Sequence, residues 1–249
     1  MKAQIRKTTI ASMIGVLLSL GNTISARTME IQVANNAPYT IDDKEHPGFL
    51  LEIVKKMEAV MKLDIPVKFV NWPDAQAAAK AGHNILIFPY SRTAEREPNF
   101  MWVQKLWDIE ELFVTRAGAA PVNSYDQGRS VPSIGVVAGS TGHAELTKRG
   151  FDKLKLYANA VAVTEAVAKG DVDAAYSAGL ELQYAWKQAR YPGDIVLGKS
   201  LAERALYIAA SRDSPEMIKI SKQDWMQAYE TLLRDGSIHR VYESYFGKR

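Results

Sequence analysis

The sequence predicts an α/β protein built as two units in series. Strand-like runs alternate with runs of helical spacing, the rhythm of a parallel sheet flanked by helices. That rhythm restarts in the middle of the chain, at Leu112. One of the strand-like runs, Ile85-Leu86-Ile87-Phe88, is wholly apolar, as expected where a sheet is covered on both faces.

The chain opens with Lys2, Arg6 and Lys7, then an uncharged stretch from Thr8 to Ile24 with an apolar centre at Ile10–Leu20. Ile24-Ser25-Ala26 closes it with small residues. A charged start, a short apolar centre and a small-residue exit read as a cleavable secretory signal over residues 1–26. The apolar centre falls short of the roughly 20 residues needed to span a bilayer, and no later segment reaches that length. The export signal predicts cleavage near Ala26.

After it, Met29–Ala34 alternates like a strand, and Asn35-Asn36-Ala37-Pro38-Tyr39 breaks it with turn formers. From Gly48, the spacing of Phe49, Leu50, Ile53, Val54, Met57, Val60 and Met61 predicts a helix. Val67–Val70 reads as a strand, and Asp74–Ala81 as an alanine-rich helix stopped at Gly82. In the second unit, Leu112–Thr115 reads as a strand and 117–130 as a loop. Ser133–Val137 is a strand that enters Ala138-Gly139-Ser140-Thr141-Gly142 and then a helix. Lys155–Tyr157 is a strand, Val161–Lys169 a helix, and Val172–Tyr176 a strand. Leu206–Ala210 is a further strand, and Pro215–Leu233 one long amphipathic helix. These last two have no obvious place in the second unit and are expected to return to the first.

Composition excludes several chemistries. The sequence holds 31 Lys+Arg and 28 Asp+Glu. The signal carries three of the bases and no acid, so the remainder balances at 28 of each. The basic excess therefore belongs to the targeting segment and gives no reason to expect a nucleic-acid or acidic-membrane partner. There is no cysteine, which removes disulfides, thiol nucleophiles and a lipoprotein anchor. An exported protein without a tether needs an outer membrane to retain it, which favours a periplasm. His46, His83, His143 and His239 show no metal-ligand spacing, and neither a nucleophile elbow nor a phosphate-binding glycine loop occurs. No metal or cofactor is expected. The roughly 220 residues after the signal suit one large or two small domains.

A family resemblance enters through the order of several short motifs. Ala37-Pro38-Tyr39 is followed by Pro47-Gly48-Phe49-Leu50-Leu51-Glu52-Ile53, Asn71-Trp72, then Tyr90-Ser91-Arg92-Thr93-Ala94-Glu95-Arg96-Glu97 with Phe100 and Trp102. Ile134–Thr141 and Ala168–Ala174 continue the pattern. Together they resemble the family 3 bacterial extracellular solute-binding proteins, from about Ile31 to Gly247. The resemblance implies a two-lobed periplasmic binding protein of type II. Each lobe would be a mostly parallel sheet flanked by helices, joined by two crossover strands near Asp108–Thr115 and Ala205–Ala209. Lobe 1 would comprise residues 27–111 and 206–249, and lobe 2 residues 112–205. It implies a monomeric, non-enzymatic protein that captures a small carboxylate-bearing solute, an amino acid or a related compound, and delivers it to an inner-membrane ABC permease. The alternatives are a periplasmic enzyme resembling cyclohexadienyl dehydratase, and a binding protein that senses ligand for a separate membrane receptor.

The resemblance assigns the arginine of the Thr-x-x-Arg motif, Arg96, to the ligand's carboxylate. A planar guanidinium offers two parallel donors and keeps its charge; the plain alternative is a surface arginine paired with Glu95, Glu97 or Glu111. Ser140 and Thr141, at a helix start whose free N–H groups suit an anion, are expected on the same carboxylate, and Ser140 is also the natural helix cap. Ser91, Asn36 and Trp72 are further contact candidates, with packing an equal alternative for Trp72. Arg92 is either a second cleft cation or a solvated charge. One position departs from the pattern. Where amino-acid binders carry an acid for the ligand's ammonium, this chain has Ala178. Glu181, one turn on, could replace it or act as a general acid, against the plain alternative of an exposed helical glutamate. If nothing replaces the acid, the expected ligand is a carboxylate without an α-ammonium rather than a standard amino acid.

Overall fold

The computed structural model describes residues 29–247; the predicted signal, residues 1–26, lies outside them. The first unit alternates as its sequence predicts. Strand β1 (Glu30–Val33) leads to helix α1 (Phe49–Met61), β2 (Val67–Phe69), α2 (Trp72–Ala81) and β3 (Ile85–Ser91). Both β2 and β3 pair with β1 in parallel. Along β3 the side chains divide between two apolar clusters: Leu86 and Phe88 pack with α1, Ile87 and Tyr90 with Ala75 and Ala79 of α2. Burial on both faces is the physical reason that Ile85–Phe88 does not alternate with polar residues.

The chain then crosses to the second unit on a single strand, β4 (Phe100–Thr115), much longer than the Leu112–Thr115 segment expected. Its first residues carry Gln104, Lys105 and Asp108 among apolar ones, and register shifts at Trp102/Gln104 and Lys105/Trp107 break the two-residue period that sequence reading relies on. The second unit holds α3 (Tyr125–Arg129), β5 (Ile134–Val137), α4 (Thr141–Lys148), β6 (Leu154–Tyr157), α5 (Ala160–Lys169), β7 (Ala174–Ala178), α6 (Gly179–Gln188) and β8 (Val196–Leu197). The short α3 interrupts what reads as loop, with Ser124 accepting from the Gln127 N–H as its cap.

Strand β9 (Ala202–Ser211) returns the chain to the first unit. It runs antiparallel to β4 from Phe100↔Ser211 to Glu111↔Ala202 and also antiparallel to β3. The full sheet order is β2-β1-β3-β9-β4-β7-β5-β6, with β8 beside β4. The architecture is therefore two α/β lobes joined by two paired crossing strands. The expected long helix over 215–233 is instead two, α7 (Pro215–Lys219) and α8 (Lys222–Arg234). Ser221 causes the break: its hydroxyl accepts from the Asp224 N–H while the Asp224 side chain takes the Ser221 N–H, a reciprocal cap that starts a new helix. Helices α8 and α9 (Ser237–Phe246) return onto α1, where Trp225, Ala228, Ile238 and Val241 join the first core. Among the described residues, no helix is long and apolar enough to cross a membrane.

Candidate ligand-binding cleft

In each lobe the parallel strands end at the same face, where their carboxyl ends open into loops, the usual place for a ligand in open α/β sheets. The ends of β1 (Ala34–Asn36), β2 (Phe69–Asn71), β3 (Pro89–Ser91), β5 (Val137–Gly139) and β7 (Ser177–Ala178) all line one cleft of about 1020 Å³. The crossing strands supply its floor through Ile109, Glu111 and Leu206. Arg96, Ser91, Ser140, Thr141, Asn36, Trp72 and Glu181 all line this cleft.

Arg96 sits on the first-lobe wall. One Nη donates to the Ser91 carbonyl at 3.0 Å, and the guanidinium lies 4.3 Å above the Tyr90 ring centre. Among the described residues it forms no ion pair. Of the acids that could have neutralised it, Glu95 is exposed and the other two are engaged elsewhere. Arg92 takes Glu97 with two hydrogen bonds of 2.7 and 2.6 Å, and Arg204 takes Glu111 at 2.8 Å. Arg92 itself stacks over Trp102 and Tyr207 on the exposed side of the segment and does not line the cleft. The motif's cation thus faces the cleft with donors unspent, held by a carbonyl and an aromatic face that cannot cancel its charge. Tyr90 is fixed in turn by Trp72, edge-on at 5.6 Å, so Trp72 both packs and lines the cleft.

Across the cleft, Ser140 caps α4 by accepting from the His143 N–H at 3.1 Å. His143 closes the preceding turn, its Nδ1 accepting from the Gly139 N–H. The Thr141 hydroxyl is committed to Glu111 at 2.5 Å. What Thr141 and Gly142 offer the cleft is their first-turn backbone N–H groups, the donors a helix leaves unpaired. Gly142 packs closely against Tyr176: a Cβ there would stand 3.2 Å from its ring and 3.3 Å from its carbonyl, a tight fit that would need the neighbour to shift by a few tenths of an ångström. Glu111 is the buried hub behind this wall. It binds Arg204 and Thr141, while Arg204 also reaches Glu145 at 3.4 Å. Burial opposes the Arg204 charge, but Glu111 outweighs it and raises the guanidinium's pKa.

Glu181 lies in the first turn of α6, partly buried on the cleft floor rather than exposed. Its carboxylate accepts from the Ser177 hydroxyl at 3.3 Å and has no cationic partner among the described residues. Burial, with Glu111 adding repulsion, pushes its pKa up to about 7. Ala178 lines the cleft beside it, so the missing acid and its neighbour share one region.

Sequence reading passed over one residue here. Tyr39 is 1% exposed, with its ring against Phe49 at 5.6 Å. Its backbone is clamped: the Tyr39 carbonyl accepts from Leu50 and Leu51 at the start of α1. Gly48, at φ 92°, passes so close that a Cβ would lie 2.5 Å from that carbonyl. The hydroxyl emerges at the cleft floor facing Glu181, near enough to couple electrostatically. By geometry the hydroxyl makes no hydrogen bond among the described residues, yet it stands close enough to Glu181 that, after burial, this carboxylate's charge and incipient hydrogen bond hold its pKa up.

The sequence model of the bacterial extracellular solute-binding proteins, family 3, matches residues 30–248. The chain belongs to this family. Solved structures agree on the fold of this family 3 protein. A histidine kinase sensor domain with similarity to periplasmic binding proteins superposes with a TM-score of 0.76 at 17% identity, covering 89% of this chain and 96% of that one. The GluR0 ligand-binding core from Nostoc punctiforme, in complex with L-glutamate, gives 0.74 at 18%, covering 88% and 100%. A substrate-binding protein of an ABC uptake transporter from Streptococcus pneumoniae, with bound histidine, gives 0.74 at 18%, covering 90% and 94%. Curated protein sequences give no significant match to the family 3 chain.

Proposed function

We propose that the protein captures a small carboxylate-bearing solute, an amino acid or a close relative, in the periplasm and presents it to an inner-membrane ABC permease. The observation that carries this is Arg96: a cleft-facing guanidinium left without an acid partner, opposite the free N–H groups that begin α4. A carboxylate bridging them would be held by charge-assisted bonds from both lobes, and would favour the closed form because only closure satisfies both at once. Ser91, Asn36 and Trp72 would shape the first-lobe side, and Ser140 and Thr141 the second. Glu181 would receive the ligand's polar or cationic end. The lobes are taken as residues 27–111 with 206–249, and 112–205, the cuts falling within the paired crossing strands; the working unit is a monomer with its signal removed near Ala26. Relatives of the same fold whose descriptions name bound glutamate and histidine support the amino-acid class.

Thermal unfolding of residues 27–249 against amino acids, amines and non-amino carboxylates tests the reading. A ligand at a hundred times its Kd adds about 2.7 kcal/mol to folded stability. No shift with any carboxylate would refute it. The raised pKa of Glu181 favours one second reading, a dehydratase-like enzyme with Glu181 as general acid. Progressive product formation, absent in Glu181→Gln, would establish that instead.

A further inference from the structure

Tyr39 combines three features that the carboxylate site does not use. Its side chain is buried, its hydroxyl has no hydrogen-bond partner in good geometry among the described residues, and that hydroxyl faces Glu181 in the cleft. A buried polar group without a partner calls for an explanation. Packing alone does not give one, because phenylalanine would fill the same space against Phe49.

The groups facing Glu181 are few. Tyr39 reaches it from the connection between β1 and α1, Ser177 from β7, and Glu111 from β4. Glu111 is already bound by Arg204 and Thr141. Among the described residues lining the cleft, Glu111 is matched by Arg204 and Asp74 stands at the start of α2 beside Asn71, which leaves Arg96 a cation without an ion pair and Glu181 the unpaired acid that faces Tyr39. A ligand with a carboxylate alone would leave Glu181 facing the cleft, where protonation is its cheapest state. An ammonium would draw it into its charged form, and a buried carboxylate then needs a second donor besides Ser177. The Tyr39 hydroxyl is placed to be that donor; burial, then the Glu181 charge, holds its pKa well above the usual phenol value, so it keeps its proton.

Resting on the proposed carboxylate site, we infer that Tyr39 is a specificity-determining residue acting through Glu181. Its hydroxyl donates to the Glu181 carboxylate when a ligand ammonium pairs with that carboxylate, so the cleft selects solutes bearing both a carboxylate and an amine. Ala178 leaves room for the amine, and Tyr39 with Glu181 supplies the charge that position lacks. Binding of an amine-bearing ligand then takes the proton off Glu181.

The test pairs each of L-glutamate, L-histidine and L-arginine, and the remaining protein amino acids, with its deaminated acid, and measures Kd from pH 5.5 to 8.5. Wild type should bind amino acids more tightly as pH rises toward 7 and discriminate against the deaminated acids. Tyr39→Phe, which keeps the ring and the fold, should weaken amino-acid binding at pH 7 by about tenfold. It should leave any deaminated acid unchanged and displace the pH-dependent rise to higher pH. Glu181→Gln should abolish that rise. If Tyr39→Phe binds both classes as wild type does, with an unmoved pH profile, or loses both equally, the role of Tyr39 is overturned while the carboxylate site stands. If wild type binds no member of either class, the carboxylate site itself fails, and this inference with it.

Discussion

Replacing Glu181 by glutamine removes one ionisation from the cleft floor while keeping the side chain's size. In the unliganded protein the carboxyl's pKa rises from an ordinary 4.5 to about 7, chiefly through burial. A carboxyl held above its unfolded value binds its proton more tightly when folded. Its contribution is therefore most favourable below pH 4.5 and is lost as pH rises to 7. For a rise of this size the loss amounts to about 3 kcal/mol, complete above pH 7. Glutamine carries no such cost. At pH 5 the variant and wild type should have similar stability, and by pH 8 the variant should be more stable by about 2–3 kcal/mol, or several degrees in Tm. The assay is chemical denaturation of residues 27–249 at pH 5, 6, 7 and 8, on protein refolded from denaturant to strip bound ligand. Buried carboxyls elsewhere, such as Glu58, titrate in both proteins and cancel in the difference. A difference that does not change between pH 5 and 8 would refute the reasoning, because it would mean Glu181 titrates as a solvated acid.

Three other outcomes follow from named contacts. Arg96→Ala should weaken binding of the true ligand at least about tenfold without unfolding the protein, since the guanidinium's partners in the chain are a carbonyl and a ring; an unchanged Kd in titration calorimetry removes Arg96 from the site. Arg204→Ala should destabilise by about 3 kcal/mol or more, because Glu111, 3% exposed, would be left as a buried unpaired charge. Adding Glu111→Gln should recover much of that loss, and equal urea midpoints for the single and double variants would contradict it. Ser221→Ala should cost about 1 kcal/mol by removing the cap that starts α8, visible as a Tm lower by about 2–4 °C.

Much of the fold was legible locally. Glycines, prolines and the spacing of apolar residues mark β1, α1, β2, α2, β3 and the strand-to-helix turn at Ser140, because those signals act within a few residues of one another. The misread elements are the ones set by distant contacts or by polar side chains in cap geometry. The start of β4 carries bulges and charges that its pairing with β9 tolerates, and the division of 215–234 into two helices depends on a reciprocal hydrogen bond between Ser221 and Asp224.

The candidate site divides in the same way. The family resemblance of short motifs points to Arg96, Ser140 and Thr141, and the chemistry of a forked cation and a helix start agrees with it. Which arginine stays free is a different matter: Arg96 is flanked in the chain by Glu95 and Glu97 and Arg92 is farther from both, yet the fold turns Arg92 onto Glu97 and sends Glu111 to Arg204, 93 residues away. Tyr39 and Glu181 lie far apart in sequence, and neither is unusual alone. Their pairing exists because the crossing strands bring the first lobe's opening turn over the second lobe's α6. Burial there, with Glu111 adding repulsion, raises the carboxyl's pKa and leaves the hydroxyl without a partner among the described residues, effects that depend on water exclusion and distant charges and that no stretch of sequence produces by itself.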